Sequence, residues 1–278
     1  MHHSDSAIVT TVDTLAKLLD VCGELRASEQ VDERAVTGCS FDSRAVSAGD
    51  VFFCKGAAFK PAFLRMALDA GAVAFVCEES LVESLEPLAQ ESGAAMLVVD
   101  SVRTAMALLP PEVYDRPDRD VKIVGITGTK GKTTAAFMLQ SIIKAAGESC
   151  GMIGSVSTDD GIECYESTNT TPEAPEVWRH IANCRTSGRQ SMVMEVSSQA
   201  LKYQRVENLP FDVACFLNIG RDHISPIEHP TFEDYFESKL RIFDQAKTAV
   251  VNLGTEEVDR VLEAASTAER LVTVGVEH

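Results

Sequence analysis

The sequence has no apolar run approaching the ~18 residues that cross a bilayer as a helix. Its opening segment, with Asp5, Asp13, Asp20 and Glu24, does not resemble a signal peptide. These absences set the expectation of a cytoplasmic protein with no membrane partner. Positive charge is scarce as well: 25 Lys and Arg stand against 42 Asp and Glu, a formal net charge of −17. Such a field repels nucleic acid and anionic lipid, so DNA and RNA are disfavoured as partners and any phosphate ligand must be held by local groups against the global charge. The 8 cysteines include no C-x-x-C pair, and several, such as Cys54 and Cys77, end apolar runs, so they read as buried, reduced thiols. His2 and His3 sit at a chain terminus, where a metal role is not expected.

With 45% hydrophobic and 24% charged residues, the 278-residue chain has the composition of a soluble globular protein, and its length implies two domains. The stretch around which it is organised is Val121-Lys-Ile-Val-Gly-Ile-Thr-Gly-Thr-Lys-Gly-Lys-Thr-Thr134, an apolar run that breaks into glycines. Met138, Leu139, Ile142, Ile143 and Ala146 follow at helical spacing, and Gly147 is placed to end the helix. The glycines therefore sit at a helix N-terminus, where unpaired N–H groups and the helix dipole favour a phosphate. The strict P-loop pattern wants glycine where Ile126 stands. The shorter form Gly128-x-x-Gly131-Lys132-Thr133 keeps the mechanism, because Lys132 can reach the outer phosphates and the Thr133 hydroxyl can hold Mg²⁺. Nucleotide binding is the working hypothesis, with an ordinary glycine-rich turn as the alternative.

Apolar periodicity predicts a helix over 12–20, then strands over 36–41, 51–54, 73–77 and 96–99 with helices over 60–70 and 81–90, a small α/β unit. Asp42-Ser-Arg44, taken alone, reads as a turn with a surface ion pair. Pro110-Pro111 and Arg116-Pro-Asp-Arg-Asp120 read as a linker, dividing the chain into domains 1–115 and 116–278. The second half alternates strands near 121–127, 150–156, 192–196, 213–217 and 248–251 with helices near 174–187 and 231–246. That alternation implies a mostly parallel sheet with ligand loops at the carboxyl ends of its strands. Glu195 falls near one such end, and Asp222 and His223 follow another, where a carboxylate beside a P-loop is a natural Mg²⁺ partner. A final strand over 271–276 has no helix after it, so this domain reads as incomplete, truncated before a further one.

Gly128-Thr-Lys-Gly-Lys-Thr-Thr134, Asn169-Thr-Thr-Pro172, Met194-Glu-Val-Ser-Ser198 and Asn218-Ile-Gly-Arg-Asp-His223 occur in that order, and in them the chain resembles the Mur ligases of peptidoglycan synthesis. The resemblance reaches back over Asp42-Ser-Arg44 and Gly49-Asp-Val-Phe-Phe53 and so covers nearly the whole chain. It implies an amino-terminal domain for the uridine end of the substrate, a central ATP-binding domain, and a carboxyl-terminal domain that closes the site and selects the amino acid, absent here. It implies an ATP-dependent ligase, acting as a monomer, that adds the third amino acid, lysine or diaminopimelate, to UDP-N-acetylmuramoyl-L-alanyl-D-glutamate.

Carried over by motif, Ser43 touches the UDP moiety, and Asn169, Thr170, Thr171, Ser197 and Arg205 touch the sugar-dipeptide. Gly128, Thr129, Lys130, Gly131, Lys132, Thr133 and Thr134 hold the ATP phosphates. Thr133, Glu195 and His223 match Mg²⁺ positions, and Lys239 matches a lysine that the family carries as a carbamate; Lys132, Lys239, Glu195 and His223 would form the catalytic set. By pattern alone Lys239 is a snorkelling surface lysine at the edge of the stripe Phe232, Tyr235, Phe236, Leu240 and Phe243, on a helix that Thr231 caps. The chain departs from the family at Lys130, often Asn, at Gln199, often His, at Tyr203, often Gln, and in the loop 56–60. A generic P-loop kinase or NTPase and a non-catalytic binding fragment are the competing readings.

Overall fold

The computed structural model describes residues 24–26, 35–222, 224–226 and 228–276. The helix expected over 12–20, Cys22 and His223 lie outside the described residues. The chain divides into two compact units, Met1–Arg116 and Pro117–His278.

The first unit is built on a five-stranded sheet of β1 (Glu24–Arg26), β2 (Gly38–Ser40), β3 (Asp50–Phe53), β4 (Ala74–Glu78) and β5 (Ala95–Val99), in the order β1-β5-β4-β3-β2. All neighbours are parallel except β1 and β5. Among the described residues, α1 (Pro61–Asp69) joins β3 to β4, α2 (Val82–Ser92) joins β4 to β5, and α3 (Val102–Val113) follows β5. Successive strand residues point to opposite faces, and both faces here are apolar. Val51, Phe53, Val76 and Leu97 pack on one side with Val102, Ala105, Met106 and Leu109 of α3. Phe52, Phe75 and Met96 pack on the other with Leu64 of α1 and Leu85 of α2.

The expected linker is corrected in part, since Pro110 and Pro111 are buried in the last turn of α3. A proline lacks the N–H but keeps its carbonyl, and these two still accept from Tyr114 N at 3.0 Å and Arg116 N at 2.8 Å. The i, i+3, i+4, i+7 stripe of Val102, Ala105, Met106 and Leu109, capped by Ser101, outweighs them.

In the second unit an eight-stranded sheet comprises β6 (Lys122–Thr127), β7 (Cys150–Ile153), β8 (Ser157–Asp159), β9 (Cys164–Glu166), β10 (Ser191–Glu195), β11 (Phe211–Phe216), β12 (Ala246–Asn252) and β13 (Arg270–Val274). Its order is β13-β12-β11-β6-β10-β7-β8-β9, parallel from β13 to β7 and antiparallel thereafter. Its helices are α4 (Lys132–Ala145), α5 (Ala174–Thr186), α6 (Ser198–Lys202), α7 (Phe232–Leu240) and α8 (Val258–Ala265). The β8–β9 extension and α8 are not anticipated by the apolar pattern. The helix expected over 231–246 ends at Leu240 and passes into a 3-10 turn, Arg241–Gln245.

Register decides where chemistry can occur. Ile126 of β6 lies opposite Glu195 of β10, and Thr127 opposite Phe216 of β11, so three parallel strands end level and their following loops meet at one edge. Gly125 is required in β6 because a Cβ there would lie 2.6 Å from the Phe211 ring. The described cysteines are free; Cys164 on β9 is exposed, which corrects the expectation that all are buried. No described helix is long and apolar enough to cross a membrane.

Candidate functional site

Gly131 caps α4 with φ +86°, a left-handed conformation that a glycine adopts without strain. The turn sends Lys132 back across the loop, where Nζ donates to Gly128 O at 2.9 Å. Burial holds its amine below the usual lysine range, with the Glu195 carboxylate opposing the shift. The Lys130 N–H donates to Asn218 Oδ1 at 2.9 Å, and Asn218 Nδ2 donates back to Lys130 O at 3.0 Å, a brace from the loop after β11. The exposed Lys130 ammonium reaches Asp222 at 2.6 Å. Thr129 Oγ1 receives the Tyr235 hydroxyl at 3.1 Å and Gly220 N–H at 3.0 Å. Thr134 is exposed in the first turn of α4.

Lys239 is 1% exposed, a correction to the snorkelling position that its helical pattern suggests. Its Nζ donates to the same Gly128 carbonyl at 3.0 Å and lies 4.8 Å from the Tyr235 ring centroid. Burial first, and then the neighbouring Lys132 ammonium, lower its pKa to about 7.

Glu195, the last residue of β10, is 1% exposed. It accepts from Thr133 Oγ1 at 3.0 Å, from Ser155 N at 2.8 Å and from Ser155 Oγ at 3.1 Å. The Glu195 carboxylate and the hydroxyls of Thr133 and Ser155 thus stand together beside the phosphate loop, oxygen ligands suited to a hard divalent cation. The Thr171 hydroxyl donates to Glu195 O at 2.9 Å and accepts from Ser197 N at 3.0 Å. Thr171 O in turn accepts from Arg205 Nη1 at 3.0 Å, and Arg205 pairs with Glu173 at 3.1 Å.

Lys132, Asn169, Thr170, Thr171, Ser197, Arg205 and Lys239 all line one cavity of about 260 Å³. Ser43 belongs to the first unit, on a separate cavity of about 380 Å³ with Phe41, Asp42, Arg44, Lys55 and Phe59. There Asp42 and Arg44 form the turn-borne ion pair at 2.6 Å, and the Arg44 hydrogen bond holds the Asp42 carboxyl below its usual range. Ser155 and the hydroxyl of Tyr235 escape motif reading. The first was findable in principle, since it follows β7 at the carboxyl edge of the sheet.

Residues 126–278 match the sequence profile of the Mur ligase middle domain. Over 266 residues the chain is 36% identical to the UDP-N-acetylmuramoyl-L-alanyl-D-glutamate--L-lysine ligase of Streptococcus suis, a match covering 93% of this chain and 53% of that protein. It is 42% identical over 230 residues to the ligase of the same name from Enterococcus faecalis, covering 82% and 44%. The solved structure of a UDP-N-acetylmuramoyl-L-alanyl-D-glutamate--2,6-diaminopimelate ligase shares the fold with TM-score 0.75 at 21% identity, covering 96% of this chain and 53% of that one. The chain belongs to the Mur ligase family, whose members are ATP-dependent ligases that use Mg²⁺. It spans about half the length of the curated relatives it matches.

Proposed function

We propose that the chain is the UDP-substrate-binding and ATP-binding part of a cytoplasmic, monomeric ligase that joins an amino acid to UDP-N-acetylmuramoyl-L-alanyl-D-glutamate. The observation that carries this reading is the shared cavity: the P-loop lysine Lys132 and Lys239 line the same space as Asn169, Thr170, Thr171, Ser197 and Arg205. A phosphate loop opening onto polar groups fit to grip a peptide carboxylate suits phosphorylation of that carboxylate. The names of the relatives favour lysine over diaminopimelate as the amino acid. The aromatic and cationic cavity at Ser43 suits the uridine end, with Phe41 and Phe59 offering ring faces and Lys55 a positive charge.

In the first step a substrate carboxylate oxygen attacks the γ-phosphorus of ATP and the bond to ADP breaks. The amine then attacks the acyl phosphate and inorganic phosphate departs. Phosphoryl transfer asks for positioning and charge neutralisation rather than a protein nucleophile. Residues 128–134 grip the phosphates through their backbone, Lys132 meets the charge that builds on the outer ones, and Arg205 orients the peptide. Thr133 and Glu195 would hold Mg²⁺, with His223 and a Lys239 carbamate as the further ligands; when bound, the ion neutralises charge on the phosphate oxygens. The carbamate forms when the neutral Lys239 amine adds CO₂ and releases a proton, and an amine with pKa about 7 is largely neutral in mildly alkaline solution.

Calorimetry with ATP and Mg²⁺, and separately with the UDP-sugar-dipeptide, tests the reading. Both ligands should bind, and K132A should weaken only ATP, by about 100-fold. ATP binding without any affinity for the UDP-sugar would favour a generic P-loop NTPase.

A further inference from the structure

Ser198 lines the cavity described above and begins α6. Its Oγ lies 2.9 Å from Nε2 of His229, and Nδ1 of His229 lies 2.6 Å from Oδ2 of Asp234 on α7. His229 has no exposed surface, and its ring meets Tyr235 edge-on with centroids 5.2 Å apart. Lys202 Nζ donates to the same Asp234 oxygen at 2.7 Å, and this bond is the main influence holding the carboxyl ionised.

The charged end fixes the polarity of the bond between Asp234 and His229. An ionised Asp234 can only accept, so His229 carries its proton on Nδ1. With the ring carrying that one proton, Nε2 is an acceptor and the Ser198 hydroxyl donates to it. A buried serine on a cavity wall thus faces a base, and the base is oriented by a carboxylate, the arrangement that activates a hydroxyl for attack.

We propose that Ser198 is a nucleophile activated by His229 and Asp234, and that this cavity supports serine-dependent acyl transfer from activated carboxyl groups, distinct from ATP-driven ligation. Ser198 Oγ bonds to the acyl carbon of an ester or acyl phosphate as its proton passes to His229 Nε2. The bond from that carbon to the departing oxygen breaks, and the leaving group takes the proton from His229. Water then attacks the acyl-serine, giving its proton to His229, and the serine oxygen leaves with that proton as the carboxylic acid is released. Lys132 on the same cavity supplies positive charge to the oxyanion of each step.

The proposal does not rest on the ligase reading, and its test needs neither ATP nor a UDP-sugar. The full 278-residue chain is treated with a biotin-linked fluorophosphonate and digested for peptide mass spectrometry, and hydrolysis of p-nitrophenyl acetate is followed in parallel. The adduct is expected on Ser198, with nitrophenolate release falling about 100-fold in S198A and in H229Q. S141A, on the exposed face of α4, should leave both unchanged. The buried His229 variant can fail to fold, so the decision lies with the labelled position in the wild type and with S198A, its fold checked by circular dichroism. A folded wild type with no adduct at Ser198, or an S198A variant that hydrolyses the ester at the wild-type rate, overturns the proposal and leaves the three residues as a tie between α6 and α7.

Discussion

Two ammonium groups, Lys132 and Lys239, donate to one carbonyl, that of Gly128. Both amines are held below the normal lysine range by burial, and Lys132 adds repulsion to Lys239. For Lys239 the consequence has a definite sign. Its folded pKa of about 7 lies below the value of roughly 10.4 expected in the unfolded chain. Between those values the unfolded state binds more protons, so stability rises with pH across the window and falls as pH drops towards 7, levelling off below it. Denaturant melts of the wild type should show this rise, and K239M, which cannot titrate, should lack it. The same titration governs carbamate formation. In [¹³C]bicarbonate the wild type should give a carbamate resonance at pH 8 that fades below pH 7 and is missing from K239A; no resonance at pH 8 would remove the carbamate from the proposed function.

Among the elements, β10 and the turn after β7 set the position of Glu195, and Gly154 in that turn packs closely against its carboxylate. A Cβ at Gly154 would lie 2.6 Å from Glu195 Oε1. G154A should therefore push the carboxylate off Thr133 and Ser155 and weaken Mg²⁺-supported ATP binding by about 10-fold, with affinity in EDTA unchanged. Equal losses with and without Mg²⁺ would show that Glu195 supports the loop rather than the metal. The strand, loop and helix at Lys122–Thr127 and Lys132–Ala145 were legible because apolar periodicity, glycines and a lysine coincide in one short stretch. The parallel sheet was legible from alternation. The prolines of α3 misled, because punctuation residues say nothing of the apolar stripe that holds them in place. The burial of Lys239 was hidden for a related reason: an edge position on a helical wheel becomes interior only through what packs over it, here Tyr235 and the phosphate loop. Ser198 lies 31 residues before His229 in the chain, and neither spacing nor composition announces that it meets the His229 and Asp234 pair.

At the scale of the whole molecule, each of the two units, Met1–Arg116 and Pro117–His278, owns a core. In the first, Leu64 is fully buried among Phe52, Phe75 and Leu85; in the second, Ile126 packs with Ala136, Met152 and Val193. The residues proposed to hold ATP all fall in the second. A ligand that binds only the folded form of one unit stabilises that unit by mass action, by roughly 2.7 kcal/mol at 100 times its dissociation constant. Scanning calorimetry should therefore resolve two transitions, and ATP with Mg²⁺ should raise only one of them. L64A should lower only the other, since removing a buried leucine from a packed core costs about 2–5 kcal/mol. A single transition, with equal calorimetric and van't Hoff enthalpies, shifted as one by both the nucleotide and L64A, would show that the units fold as one body.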